Sequence, residues 1–280
     1  MLQKKLRKLC EKTYLYRLSL IGKEDLTLNN LFPDPWPPQV TLDINQLRTL
    51  LNHQQDAFWD IPYFASFEWI RDLKTSQDLS IRSHIRDIIL FWIYSNQRFF
   101  SLSWSRLPWR PDIVGLRIWN TLALFDFYGT SGPENFKQTV IKSVTQQYKQ
   151  LTRSWNDFDD PLIQFKAIKG IIGFLCSTKR ISYQSVDYWQ EQLMHAIEKQ
   201  ILADGGHKSR NPRILLFFLR DLIDIRGILT KHNIDAQEIS KIINQVAPVV
   251  RLFRHGDGRL AQFNGFKLDK RIVKVIPAAR

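Results

Sequence analysis

From residue 78 onward the chain repeats apolar side chains with the period of an α-helix. Ile81, Ile85, Ile88, Ile89 and Trp92 recur every three or four residues, which lines one face of a 3.6-residue turn. "RLPWRPD" at 106–112 interrupts the pattern, and 113–128 resumes it through Leu116, Trp119, Leu122 and Phe125. "GTSGP" at 129–133 breaks it again before the stripe Val140, Val144, Tyr148, Leu151 and Trp155. Residues 162–176 are nearly all apolar, as in a helix buried on most sides. Further stripes run through Val186, Trp189, Leu193, Ile197 and Ile201, then Leu215, Leu219, Leu222, Ile223 and Leu229, then Ile239, Ile242 and Val246. Seven successive helices on short links favour antiparallel neighbours. The expected fold is all-α, an α/α toroid of antiparallel helices, with a solenoid as the alternative.

The two ends read differently. Residues 3–20 predict a helix, and "LFPDPWPPQ" at 31–39 is a proline-rich connector that cannot be helical. Trp36 among those prolines is expected to pack against the body. At the other end, "VVRLFRHGDGRLAQFNGF" at 249–266 alternates around Asp257-Gly258, which predicts a short β-hairpin. The expected domains are therefore an N-terminal helix and connector at 1–55, a toroid at 56–247, and the start of a truncated β-sandwich at 248–280.

Composition narrows the function classes. Hydrophobic residues make up 44% of 280, enough for a sizeable core. The net charge is +13, which favours an anionic partner. No nucleic-acid motif of known spacing accompanies it, so no nucleic acid is expected. Two cysteines, Cys10 and Cys176, make no metal, redox or disulfide pattern. No metal and no cofactor are expected, since neither a zinc motif nor a phosphate loop occurs. The basic first 20 residues lack the apolar run of a signal peptide. A cytoplasmic location follows as the expectation, with the periplasm as the alternative. No segment is apolar enough to cross a bilayer, although peripheral contact through 1–20 fits its basic, leucine-bearing pattern.

Six stretches, taken in order, resemble the heparinase II/III-like family. They are "PDPWP" at 33–37, "SFEWIRDL" at 66–73, "PWRPDIVGLRIWNTLALFDF" at 108–127, "QILADGGHKSRNP" at 200–212, "LRDLIDIR" at 219–226 and "LFRHGDGRLAQFNG" at 252–265. The resemblance implies a helical toroid followed by a β-sandwich, and β-elimination on acidic, uronic-acid polysaccharides. Such a lyase needs a group to neutralise the uronate carboxylate, a base for the C5 proton and an acid for the leaving oxygen. The family's tyrosine position, two residues after the proline, is Ile214 here, and its serine before Pro212 is Asn211. The family's Asn-His pair would fall in "LIQFKAIKG" at 162–170, which has no histidine. Little turnover is expected, and a non-catalytic acidic-glycan-binding or assembly module is the alternative.

Within that reading the candidate catalytic residues are His207, Tyr128 and Asn120. The candidate substrate-binding residues are Trp109, Arg110, Arg117 and Arg210. His207 either faces a ligand or orients its own turn. Arg210 either clamps a carboxylate or pairs at the surface. Trp109 either stacks on a sugar or packs the rim. Arg117 and Asn120 lie three apart on one helix face, and Tyr128, at a helix end, is the candidate base. Gly205 and Gly206 are expected to supply left-handed backbone geometry in the turn.

Overall fold

The computed structural model describes residues 25–28, 34, 36–38, 42–44, 47, 49, 59–76, 78, 80–97, 107–256 and 260–264. Among these the protein is all-α, with ten α-helices and no strand. Short helices α1 (Pro62–Ala65) and α2 (Trp69–Asp72) precede α3 (Ile81–Gln97). A 3-10 turn at Leu107–Trp109 leads into α4 (Pro111–Ala123), followed by α5 (Phe125–Tyr128). Then come α6 (Glu134–Ser154), α7 (Pro161–Cys176), α8 (Tyr183–Glu198), α9 (Pro212–Lys231) and α10 (Gln237–Leu252).

Local chemistry fixes several of the starts. Asp160 accepts the Leu162 N–H at 2.8 Å with Pro161 in the first turn of α7. Asn211 accepts the N–H groups of Arg213 and Ile214 at 2.9 and 3.2 Å, ahead of Pro212 in α9. In each case the side-chain oxygen satisfies a helix donor that has no intrahelical partner, and proline at the first position gives up a donor that was unpaired anyway. The predicted stripes then turn inward: Phe136, Val140, Val144 and Leu151 of α6 are all buried. Each such side chain contributes roughly 1.5–3 kcal/mol relative to exposure.

The packing centre is the crossing of α4 and α7. A Cβ on Gly170 would lie 2.3 Å from the Gly115 carbonyl oxygen, and one on Gly115 would lie 2.4 Å from that of Lys166. Only hydrogens fit between these backbones. Helix α7 also packs against α6, α8 and α9, and α10 packs on α9. Between α1 and α2, Phe67 takes a left-handed φ of 63°, a conformation unusual for a bulky residue. Its ring is held edge-on by Trp69 and Trp92.

Two expectations about the C-terminal end change. Residues 249–252 belong to α10, which runs through Pro248 to Leu252. The expected boundary at 247/248 therefore falls inside a helix, because the apolar phase of Ile239, Ile243 and Val246 continues through the partly buried Val250. Beyond it, Arg254 and Leu260 form one antiparallel bridge and Ala261 N–H donates to the Phe253 carbonyl at 2.8 Å. The expected Asp257-Gly258 turn and the basic segment 1–20 lie outside the described residues.

Candidate functional site

Four of the seven candidate residues are structural parts of the interior. Arg117 has no exposed surface. It donates to Gln147 Oε1 at 2.7 Å and to the carbonyls of Ala65 and Pro108 at 2.9 and 2.8 Å. Those carbonyls end α1 and sit in the 3-10 turn, where no following helical turn supplies a donor. Its guanidinium lies 4.2 Å from the Trp92 ring centroid and 5.3 Å from that of Trp109. Burial pulls its pKa down to about 9. Trp109 thus packs beneath a buried cation and is no sugar platform. Tyr128 is also fully buried, and its hydroxyl donates to the Thr121 carbonyl at 2.9 Å. Burial raises its pKa well beyond the range of a base. Asn120 donates to the Ser66 carbonyl at 2.9 Å and accepts from Arg71 at 3.3 Å.

The other three sit near the N-terminal ends of α4 and α9. Arg110 is the N-cap of α4 and forks onto Asp112, with Nε and Nη2 at 2.6 and 2.8 Å from the two carboxylate oxygens. His207 and Arg210 lie in the turn between α8 and α9. Arg110 and His207 both feel the carboxylate of Asp160, the N-cap of α7, so the fold brings these two candidates into one neighbourhood. Arg117, Asn120, Trp109 and Tyr128 are engaged inside.

The turn itself is a closed lattice. Ile201 and His207 form an antiparallel bridge, Leu202 N–H donates to the Gly206 carbonyl at 2.9 Å, and Lys208 N–H donates to the Gln200 carbonyl at 2.8 Å. Gly205 alone of the two glycines has the expected left-handed backbone, with φ 77°, and a Cβ there would meet the Gln245 carbonyl at 2.4 Å. At Gly206 a Cβ would meet only the movable end of Arg210, 2.7 Å away, and the Asp204 carboxylate. Arg210, itself at φ 53°, donates to Asp204 at 2.5 Å. That pair, with the Gly206 N–H, holds the Asp204 carboxyl below its usual range. Arg210 is thus a surface pair, not a free clamp.

His207 is 3% exposed. Its Nδ1 accepts the Ser209 N–H at 3.0 Å, so the neutral ring carries its proton on Nε2. Nε2 is buried without a hydrogen-bond partner among the described residues. The ring meets Phe218 edge-on at 6.0 Å. Burial lowers its pKa to about 4. A histidine held neutral in the fold and protonated in the unfolded chain costs stability as pH falls from its ordinary 6.5 towards 4. Acid titration of the wild type is expected to lose on the order of 3 kcal/mol over that window. His207→Gln flattens that slope, read from urea midpoints at a series of pH values.

The residues that form the densest polar cluster were not among the candidates. Lys169, in the middle of apolar α7, donates to Asp221 at 2.5 Å and Asp224 at 2.6 Å, and its ammonium lies 4.5 Å from the Trp119 ring centroid. Asp224 also accepts the Trp36 indole N–H at 2.6 Å, and Arg220 lies over the Trp36 ring at 5.3 Å. Two residues earlier, both Asp34 oxygens accept from Arg71 Nε at 3.0 and 2.9 Å. Lys74 Nζ is 3.6 Å from the Asp34 carboxylate and donates to its backbone carbonyl at 3.2 Å. A lysine in an apolar helix and an Asp-x-x-Asp pair on one face of α9 were the available signals. The partners lie too far apart in sequence for spacing to join them.

Among the described residues no group of histidine, cysteine and acidic side chains is arranged to hold a metal. None of the described helices is long and apolar enough to cross a membrane. Compared with known proteins, no family profile matches the chain, and no solved structure matches it. It is similar to the FtsZ-localized protein C of Caulobacter vibrioides (strain NA1000 / CB15N), with 23% identity over 203 residues. That alignment covers 71% of this chain, and the chain spans about a third of the relative's length (33%).

Proposed function

We propose that the chain is a non-catalytic assembly module that takes an acidic protein partner. In this reading α4, α7 and α9 form the inner layer of an α/α toroid, with α6, α8 and α10 outside. The packing of α7 on both α4 and α9, and of α10 on α9, supports that order. The end bearing the partly exposed Arg110 and Arg210 is the partner-facing surface, with His207 buried beneath it. The observation that carries the reading is the engagement of the interior polar groups. The Tyr128 hydroxyl is spent on a backbone carbonyl, Arg117 on two others, and Lys169 on two carboxylates. None of these groups is free to move a proton on a substrate. Elimination on uronic-acid glycans is the rival reading, favoured by the family resemblance.

The net charge of +13 supports an acidic partner. The likeness to a protein named FtsZ-localized supports FtsZ as that partner, and a cytoplasmic location belongs to the same proposal. The experiment is co-sedimentation of the purified chain with FtsZ polymers at low and high salt. The expected result is pelleting with polymer at low salt and release at high salt, as exposed charges are screened. Pelleting equally with and without polymer, or none at low salt, overturns FtsZ as the partner. A chain that instead binds an acidic glycan places the partner in the glycan class.

A further inference from the structure

Asp34 and Trp36 of the proline-rich stretch are bound to the helical body as a ligand is bound to a receptor. The Asp34 side chain is 3% exposed, although it is a carboxylate on a segment with no helix of its own at that point. The carboxylate and its backbone carbonyl meet Arg71 and Lys74, and Arg71 is steadied in turn by Asn120. Trp36 offers two contacts at once: its N–H goes to Asp224 and its ring lies beneath Arg220. A desolvated carboxylate on arginine, an indole with a polar handle and a cation over its face are the features of an interface anchor. Two further facts mark the receiving surface as a site. Arg220, itself buried, has an Nε with no hydrogen-bond partner among the described residues. And Asp34 is the carboxylate that meets the buried Arg71, whose other side-chain hydrogen bond goes to the neutral Asn120. Without Asp34 that guanidinium would lose its ion pair in a buried setting, a loss that an incoming carboxylate makes good.

We propose that Arg71, Lys74, Asn120, Arg220 and Asp224 form a recognition site for a peptide carrying aspartate two residues before tryptophan, and that the chain's own Asp34 and Trp36 occupy it as an internal ligand. A partner protein presenting that pair would displace the connector, so access to the site is governed by the connector's release. This goes beyond the assembly reading and does not depend on FtsZ being the partner.

The test uses the full chain with Asp34→Ala and Trp36→Ala together, and a fluorescent synthetic peptide of sequence LFPDPWPPQ. The double variant is expected to bind the peptide saturably and roughly tenfold or more tightly than wild type, and to regain thermal stability when the peptide is added. Adding Arg71→Ala should remove that binding. Trp36→Phe, which keeps a ring and deletes only the N–H donor, provides a milder opening if the double variant does not fold. A folded variant that ignores the peptide contradicts the proposal, as does binding that is equal in wild type and in the Arg71→Ala variant. Failure of both connector variants to fold makes the connector part of the core and equally overturns it. These outcomes are read without FtsZ, so they are separable from the sedimentation result.

Discussion

Replacing Lys169 by methionine is expected to remove about 3–5 kcal/mol of stability, the usual cost of breaking a buried ion pair from one side. The lysine is 2% exposed and serves two carboxylates that are themselves buried. Methionine keeps most of the aliphatic stem and removes the ammonium, with its two hydrogen bonds and its contact with the Trp119 ring. Asp221 and Asp224 are then left buried without their shared cation, while the Trp36 N–H still donates to Asp224. Neutralising the two carboxylates separates charge from packing. Adding Asp221→Asn and Asp224→Asn to Lys169→Met should recover much of the loss, because the neutral amides no longer repel and can pair with each other. Urea midpoints of the single and triple variants check this. A triple variant less stable than the single one would show that packing of the lysine stem, not its charge, decides the site.

The second large effect is steric. Gly170→Ala places a methyl 2.3 Å from the Gly115 carbonyl oxygen and 2.4 Å from its Cα. Backbone cannot swing aside as a flexible side chain does, so α4 and α7 must separate. The expected loss is about 3 kcal/mol or more, at or above the top of the usual range for overpacking. Separation also disturbs Arg117 and Asn120 on α4 and Lys169 on α7, which hold the connector and the short helices in place. Gly227→Ala is the matched control. It lies in α9 with nothing within 4 Å of its added methyl, so it should gain up to about 1 kcal/mol through helix propensity. Thermal unfolding of the two variants side by side should therefore move in opposite directions.

Much of the helical order was written in local spacing. The stripes from Ile81 to Val246 marked seven long helices because a helix buries one face and repeats it every 3.6 residues. Asn211 and Asp160, each ahead of a proline, cap two of the starts, a local signal that the apolar stripes do not contain. The break at Leu124 was not legible, since Leu122, Leu124 and Phe125 are all buried and the pattern continues across it. Nor was the run of α10 through Pro248, where alternation of apolar residues around a Gly-Asp-Gly sequence suggested strands instead.

The site was less legible for a physical reason. Polar residues in apolar helices announce that they need a partner, but not which one. Asn120 and Arg117 were visible as anomalies, yet Ala65, Ser66 and Pro108 meet them through backbone carbonyls that carry no sequence signature. Tyr128 looked available because it ends a helix. Its hydroxyl instead reaches back to Thr121. Lys169, Arg71 and Asp34 form their pairs across 37 to 55 positions, and only the fold brings them together.

Tyr128, Arg117, Asn120 and Lys169 are spent on backbone carbonyls and buried carboxylates, and the module proposed above binds without turnover. The most direct measurement is ultraviolet absorbance of unsaturated uronides during incubation of the purified chain with heparan sulfate, alginate and related acidic polymers. A flat trace at neutral pH is the expected result. Steady accumulation of unsaturated product, lost in His207→Gln and retained in Tyr128→Phe, would contradict it and restore an elimination centre at the His207 turn.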